Sequence, residues 1–133
     1  MKLKKILIAI TFLMTFASCK NTEYLSNKYG EIISDEIIRI EYYEGKNYLS
    51  LDDDKKPNKT ISDRTRITEI VTEINYSNNP GPWKGAHWDK VVIVKKDTTL
   101  TYSTNGKVIG KNQNSGFFYE LKDEQFIERF FEN

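Results

Sequence analysis

The chain has 133 residues, a formal net charge of +1, one cysteine and one histidine. This length fits one domain rather than two, and the near-neutral charge argues against a nucleic-acid binder, which needs a concentrated basic surface. A single cysteine excludes an intramolecular disulfide and a cysteine-rich zinc site.

The first segment, residues 1–18, has the pattern of a secretory signal peptide. Three lysines and no acidic residue lie within residues 1–5, and an uncharged, mostly apolar run occupies residues 6–16. A helix of that length reaches only about half way across a hydrocarbon core of ~30 Å. The segment therefore predicts a cleaved signal rather than a transmembrane helix.

Ala17 and Ser18 directly precede Cys19. With these residues the N-terminal segment resembles the signal peptide of bacterial lipoproteins. In that family the cysteine is lipidated on sulfur, becomes the first mature residue and is then acylated on its amine. The resemblance implies that Cys19 anchors the protein to a membrane outside the cytoplasm. Lys20 stands where an Asp is associated with inner-membrane retention, which favours an outer membrane in a cell that has one. The alternative is an ordinary secretory signal with an incidental cysteine.

Signal cleavage changes the charge balance of the protein. It removes three of the 20 basic residues and none of the 19 acidic ones, so the mature chain has a formal side-chain charge of −2. The composition therefore does not predict membrane attachment by a polybasic patch, and a lipid would provide the anchor.

A polar stretch without periodicity follows the signal. Residues 19–30 are interpreted as the lipidated cysteine and a flexible tether, in which Leu25 and Tyr29 are able to dock locally. A single globular domain is then expected over residues 31–133.

The domain is expected to begin with a hairpin. Apolar side chains occupy alternate positions from Ile38 to Tyr42, which is the period of a half-buried strand. Turn residues at 44–47 predict a return strand from Tyr48. The charged stretch 52–59 is expected to lie in solvent.

The strongest helix pattern spans Asp63 to Asn75. Its apolar residues recur at i, i+3, i+4 and i+7, and Ser62 or Asp63 is suited to cap its N-terminus. Because β-branched residues are poor helix formers, this helix is expected to depend on packing against a sheet. The apolar stripe consists of Ile67, Ile70, Val71 and Ile74.

The remaining chain predicts further strand segments and a terminal helix. Residues 76–90 contain Asn-Pro and Gly-Pro steps and are expected to form a long connection, whereas the apolar run 91–94 predicts a central strand. Asn105 and Gly106 predict a type I′ hairpin turn, which needs positive φ at both positions. Asp123 is expected to cap the last helix. Further strands are expected around residues 99–103, 108–109 and 117–121, and the helix carries Phe126, Ile127, Phe130 and Phe131.

This element order, β-β-α-β-β-β-α, predicts a two-layer α+β fold. An antiparallel sheet of about five strands would carry two helices on one face. Ile61-Ser62-Asp63 before the first helix and Ile74-Asn75 at its end give the layout a loose resemblance to several small bacterial lipoprotein domains of unassigned function. No site follows from that resemblance.

The candidate binding residues lie in the connection before the predicted central strand. Trp83 and Trp88 are large amphipathic side chains in a loop, typical of interface anchors and sugar platforms, and His87 lies between them. The three are therefore predicted to bind a ligand. The alternative is that the indoles fold back onto the domain, which is favoured for Trp88.

No catalytic residue, metal site or cofactor is predicted. One histidine offers weak metal ligation, and the chain contains neither a phosphate-binding glycine loop nor a G-x-S-x-G motif. These features favour an envelope lipoprotein that binds an envelope protein or glycan without catalysing a reaction. An inhibitor or immunity-type protein is the alternative, followed by an enzyme that would use His87 and a carboxylate on an envelope polymer. The expected partners include the membrane, through Cys19, and no nucleic acid.

Overall fold

The computed structural model describes residues 23–45, 56–82, 88–111 and 117–132. Within these ranges seven strands form one sheet and three α-helices pack on it, so the predicted antiparallel α+β fold is confirmed with more elements than expected. The strands are β1 (Ile37–Tyr43), β2 (Lys59–Ile61), β3 (Asn78–Gly81), β4 (Asp89–Lys95), β5 (Thr99–Thr104), β6 (Val108–Gly110) and β7 (Phe118–Glu120). The helices are α1 (Leu25–Tyr29), α2 (Arg64–Asn75) and α3 (Phe126–Phe131).

The sheet is antiparallel throughout, in the order β2-β1-β4-β5-β6-β7-β3. The predicted central strand is β4, which lies between β1 and β5. Val91 and Ile93 point into the core while their neighbours are half-buried. An apolar run in the middle of a sheet therefore has one face against the helices and a second face that is only partly covered.

Strand β1 contains a bulge that reverses the predicted direction of Ile38. The register shifts between Ile37 and Arg39, so Ile37 is buried and Ile38 is 49% exposed. An extra residue in one strand moves its side chain to the other face. The predicted return strand from Tyr48 lies outside the described residues. Residue 59, expected in solvent, instead begins β2, whose Ile61 pairs with Ile40 of β1.

Helix α2 confirms the prediction for residues 63–75. The Asp63 carboxylate accepts a hydrogen bond from the Arg66 backbone N–H at 2.9 Å and so caps the helix. All four residues of the predicted stripe, Ile67, Ile70, Val71 and Ile74, are buried. The helix packs on the sheet, which compensates for its weak intrinsic propensity.

Part of the segment interpreted as a tether is a helix that packs on the domain. Leu25 of α1 is fully buried in the core, and its backbone N–H donates to the carbonyl of Ser77 at 2.9 Å. The buried Asn75 side chain accepts from the Ile32 N–H and donates to the Ile32 carbonyl, both at 2.9 Å. These contacts attach residues 25–32 to the end of α2, so within the segment 19–30 the tether interpretation does not hold for residues 25–30.

The β5–β6 turn differs from the predicted type I′ geometry. Gly106 has φ 92°, but Asn105 does not have a positive φ. Instead, Asn105 Oδ1 accepts from the N–H groups of Lys107 and Val108, at 2.9 and 3.0 Å. The Thr104 hydroxyl accepts from the Gly106 N–H at 3.0 Å. The side chains of Asn105 and Thr104 therefore accept hydrogen bonds from the backbone N–H groups of this turn. The sequence pattern predicted only the backbone geometry.

The C-terminal helix α3 closes the core, as its pattern predicted. The predicted cap at Asp123 is wrong: α3 begins at Phe126, its N-cap residue is Gln125, which makes no side-chain capping hydrogen bond, and Asp123 accepts from the Gln125 N–H at 2.9 Å before the helix. All four predicted apolar residues of α3 are buried. The core also contains the following residues from the other elements: Leu25, Ile32, Ile37, Ile40, Tyr42, Ile61, Ile67, Ile70, Val71, Ile74, Val91, Ile93, Tyr102, Ile109, Tyr119 and Leu121.

Candidate functional site

The sequence-predicted site is only partly within the described residues. Cys19, Trp83 and His87 lie outside them, and Trp88 lies within them, directly before β4. The proposed assembly of Trp83, His87 and Trp88 around a ligand therefore stays a prediction. The described chain enters this connection from β3, at one edge of the sheet, and leaves it at β4 in the middle.

Trp88 packs against Phe118 on the sheet face that points away from the helices. The ring centroids are 4.4 Å apart and the planes differ by 9°, which is a stacked arrangement. Phe118 and Tyr119 are consecutive in β7 and so point to opposite faces, and Tyr119 belongs to the helix-side core. Phe118 is nevertheless only 1% exposed. Trp88 therefore has a structural contact that covers Phe118, whatever else it binds.

A lysine–serine pair lies across β4 and β5. Lys90 and Ser103 are register partners, and Lys90 Nζ donates to Ser103 Oγ at 2.7 Å. Burial lowers the pKa of the Lys90 ammonium, which is the direction that would help it accept a proton from a serine. Ser103 is fully buried, however, so its oxygen is not accessible to a substrate in this conformation. Each side chain of the pair therefore gives the other a hydrogen-bond partner on the sheet.

An acidic surface pocket lies at the opposite end of β4 from the β4–β5 turn. The Tyr42 hydroxyl donates to Asp89 Oδ2 at 2.5 Å, and Asp89 Oδ1 accepts from the Gly45 N–H at 2.8 Å. Burial and the adjacent carboxylate raise the pKa of Tyr42, so this phenol stays protonated. The pocket measures about 380 Å³, and Glu44, Glu128 and Glu132 also line it. Within the described ranges, no group of three or more His, Cys, Asp or Glu residues has a geometry suited to a metal ion.

A second, open groove lies beside the β1 bulge. It measures about 730 Å³, and Ile38 lines it together with Lys95 at the end of β4 and residues 96–98 of the β4–β5 turn. Lys95 Nζ lies 3.0 Å from a carboxylate oxygen of Glu36 at its margin. The groove presents charges of both signs and one exposed aliphatic side chain, an arrangement that selects no particular ligand.

Aromatic rings and lysines form a continuous surface around α1, hereafter the aromatic–lysine surface. Its centre is α1 itself, where Lys28 Nζ lies 4.8 Å from the Phe117 ring centroid and 5.6 Å from that of Tyr29. Lys111 Nζ lies 5.8 Å from the same Tyr29 ring. Phe117 is 45% exposed although it lies next to the buried β7. The surface comprises Tyr24, Lys28, Tyr29, Tyr76, Lys111, Phe117 and Lys122.

The second half of this surface lies at the N-terminal end of α1. Lys122 Nζ is 5.9 Å from the Tyr24 ring centroid and 5.7 Å from that of Tyr76. The two tyrosine rings meet edge to face, with centroids 5.4 Å apart. Tyr24 precedes α1 and lies one helical turn from Lys28. This spacing connects the two halves of the surface. Tyr76 is 45% exposed.

Sequence reasoning missed the aromatic–lysine surface. Its members come from α1, the end of α2 and the segments that flank β6 and β7, so no local spacing connects them. The available signal was the unusual polar-aromatic composition of residues 23–30, in which two tyrosines flank Lys28. The absence of a period predicts a tether here instead, and the five-residue helix that the segment forms has no stability of its own outside the tertiary contacts.

Comparisons with known proteins return no relative. No protein-family model matches the sequence, and neither a curated protein nor a solved structure is significantly similar to it. In the part of the chain that the structure describes, no helix has the length and apolar character needed to cross a bilayer.

Proposed function

We propose that this protein is a lipid-anchored domain of the bacterial cell envelope that acts as a binding module. The observation that carries the proposal is the position of Cys19. It is the only cysteine of the chain, it follows a short apolar signal and two small residues, and it lies six positions before Leu25, which is buried in the core. Lipid on this cysteine would hold the domain at a membrane outside the cytoplasm, which is the outer membrane where the cell has one.

A binding role fits the chemistry of the described residues better than catalysis does. Among the described residues, the geometry suggests Ser103 with Lys90 as a nucleophile–base pair, and the serine oxygen of this pair is buried. Exposed aromatic side chains, by contrast, provide contact area at a low entropic cost. The proposed ligand is an envelope protein or glycan, held by the connection that contains Trp83 and His87 and ends at Trp88.

The anchor is tested by replacing the cysteine in the full chain. Cys19→Ser should abolish incorporation of labelled palmitate and release the domain from the membrane fraction, because serine offers no thiol for the lipid. Ser18→Ala is the matched control, since it keeps a small residue before the cysteine and should leave labelling intact. Unchanged membrane association of Cys19→Ser would overturn the anchoring proposal.

The ligand site is tested by variants that keep the fold. Because Trp88 covers Phe118, the informative pair is Trp83→Ala with Trp88→Phe, which retains an aromatic ring on Phe118. In crosslinking on intact cells, this pair should lose the partners that the parent protein captures, while the near-ultraviolet circular dichroism reports that the domain is folded. Capture of the same partners in the same yield would remove the tryptophans from the proposed site.

A further inference from the structure

Very little chain separates the proposed anchor from the folded domain. Four residue steps lead from Cys19 to Glu23, and a fully extended chain spans at most about 14 Å over that distance. The next residues are already attached, because Leu25 is fully buried in the core. A lipid on Cys19 would therefore hold the start of α1 close to the bilayer surface and would leave little room for another protein in between.

The aromatic–lysine surface surrounds this point of entry. Tyr24 immediately precedes α1, and Lys122 lies over its ring and over that of Tyr76. One turn further along, Lys28 lies over the ring of Phe117. Three residues of this surface, Tyr24, Lys28 and Tyr29, thus lie within ten residues of the anchor along the chain.

The composition of the surface matches the interface between water and lipid. Aromatic rings with a polar edge collect at the level of the lipid headgroups. Lysines place their aliphatic stems along apolar groups and their ammonium groups beside phosphates. Lys28, Lys111 and Lys122 bring positive charge to one side of a mature chain whose side chains carry a net charge of −2. Attraction to anionic lipid falls off within a Debye length, a distance similar to the reach of the short linker.

We propose that the aromatic–lysine surface rests on the membrane and contacts the phosphate groups of anionic lipids. The proposal depends on the lipid anchor at Cys19 and adds the orientation of the domain to it. Tyr76 and Phe117, each 45% exposed, lie at the depth of the headgroups. The β4–β5 turn lies further along the sheet, because Thr98 directly precedes β5 and is four residues, or about 13 Å of extended chain, from Tyr102, whose ring is contacted by Lys111. The lipid anchor holds the surface at a high effective concentration beside the bilayer, so that contacts that are weak by themselves become populated.

The orientation is tested on the lipidated full-length protein in vesicles of phosphatidylethanolamine and phosphatidylglycerol. Phe117→Cys introduces the one free thiol, since the Cys19 sulfur carries the lipid, and this thiol is labelled with an environment-sensitive fluorophore. Thr98→Cys, at an exposed position in the β4–β5 turn, is the matched control. Spin-labelled lipids should quench the fluorophore at position 117 several-fold more than the fluorophore at position 98.

Charge reversal tests the role of the lysines. Lys28→Glu with Lys122→Glu, in the Phe117→Cys background, should reduce quenching toward the level measured at position 98. Lys96→Glu with Lys107→Glu changes the net charge equally at two exposed lysines outside the surface and should leave the quenching unchanged. Equal behaviour of the two double variants would overturn the electrostatic contribution to docking.

The outcomes separate this proposal from the anchor itself. Equal quenching at positions 117 and 98, in a protein whose mass shows the lipid and which floats with the vesicles, would overturn the orientation and leave the anchor in place. A mature protein whose mass lacks the lipid would overturn both proposals.

Discussion

Replacement of Asn75 tests how firmly the N-terminal segment is attached to the domain. The Asn75 amide makes two hydrogen bonds to the backbone of Ile32, both 2.9 Å long, and both residues are buried. Asn75→Ala leaves the Ile32 N–H and carbonyl without these partners. Each unsatisfied buried group costs ~1–3 kcal/mol, so we expect a loss of about 2–4 kcal/mol in the free energy of unfolding. This is a large part of the ~5–15 kcal/mol that stabilises a typical domain.

Asn75→Asp adds a pH dependence with a defined sign. The introduced carboxylate can still accept from the Ile32 N–H, but its second oxygen faces the Ile32 carbonyl. Burial and this repulsion should raise the pKa of the introduced carboxyl above its unfolded value of about 3.9. Its neutral form is then the stabilising one, so the loss relative to the parent protein should be large at neutral pH and should shrink as the pH falls toward that value.

Urea denaturation at neutral and mildly acidic pH measures both variants. Thr72→Ala is the control, because its exposed hydroxyl donates to the Thr68 carbonyl at 2.7 Å on the outer side of α2. It should change stability by no more than about 0.5 kcal/mol. Hydrogen exchange at the Ile32 amide gives a local measure of the same contact. A loss below about 1 kcal/mol for Asn75→Ala, with slow exchange retained at Ile32, would refute the reasoning.

Substitutions at three further positions test the sheet and its two faces. Tyr42→Phe removes the hydrogen bond to Asp89 and should cost about 1–2 kcal/mol in urea denaturation. Folding raises the pKa of Tyr42, so the protonated phenol stabilises the folded state at neutral pH. This stabilisation declines as the pH rises above the unfolded pKa of about 10. The free energy of unfolding of Tyr42→Phe should therefore fall less in alkali than that of the parent protein. Trp88→Ala exposes Phe118 and should reduce the free energy of unfolding by about 2–3 kcal/mol. Trp88→Phe should reduce it by less than about 1.5 kcal/mol. Equal reductions would contradict a stacking role for Trp88. Gly110→Ala places a Cβ 2.5 Å from the Phe118 ring. It should reduce the free energy of unfolding by about 1–3 kcal/mol and so lower the midpoint of thermal unfolding. An unchanged midpoint would show that the Phe118 ring moves aside without cost.

Sequence reasoning worked where one local period dominates. The stripe of α2 and the apolar face of α3 are each formed by neighbours on a single helix, so their burial follows from spacing alone. The alternation of β1 was interpreted correctly as a strand but with Ile38 on the wrong side. A bulge is a property of the pairing between two strands, and the sequence of one strand does not specify it.

The short strands at both edges of the sheet escaped prediction for a related reason. β2 and β3 contain three and four residues, which is too few for a period to appear. β3 also contains Pro80, which interrupts a central strand and is tolerated at an edge. Only the pairing partners, β1 and β7, make these segments strands.

Local sequence patterns were enough to predict the fold class and the faces of the longer helices, and they support the proposed anchor at Cys19. These properties depend on residues that are close together in the chain: Cys19 with the small residues before it, or side chains three and four positions apart. The tertiary structure decided that residues 25–32 are attached to α2 through Asn75, and that lysines 28, 111 and 122 lie on one surface. Those arrangements join residues that are distant in the chain, because burial of the core, rather than local spacing, brings them together.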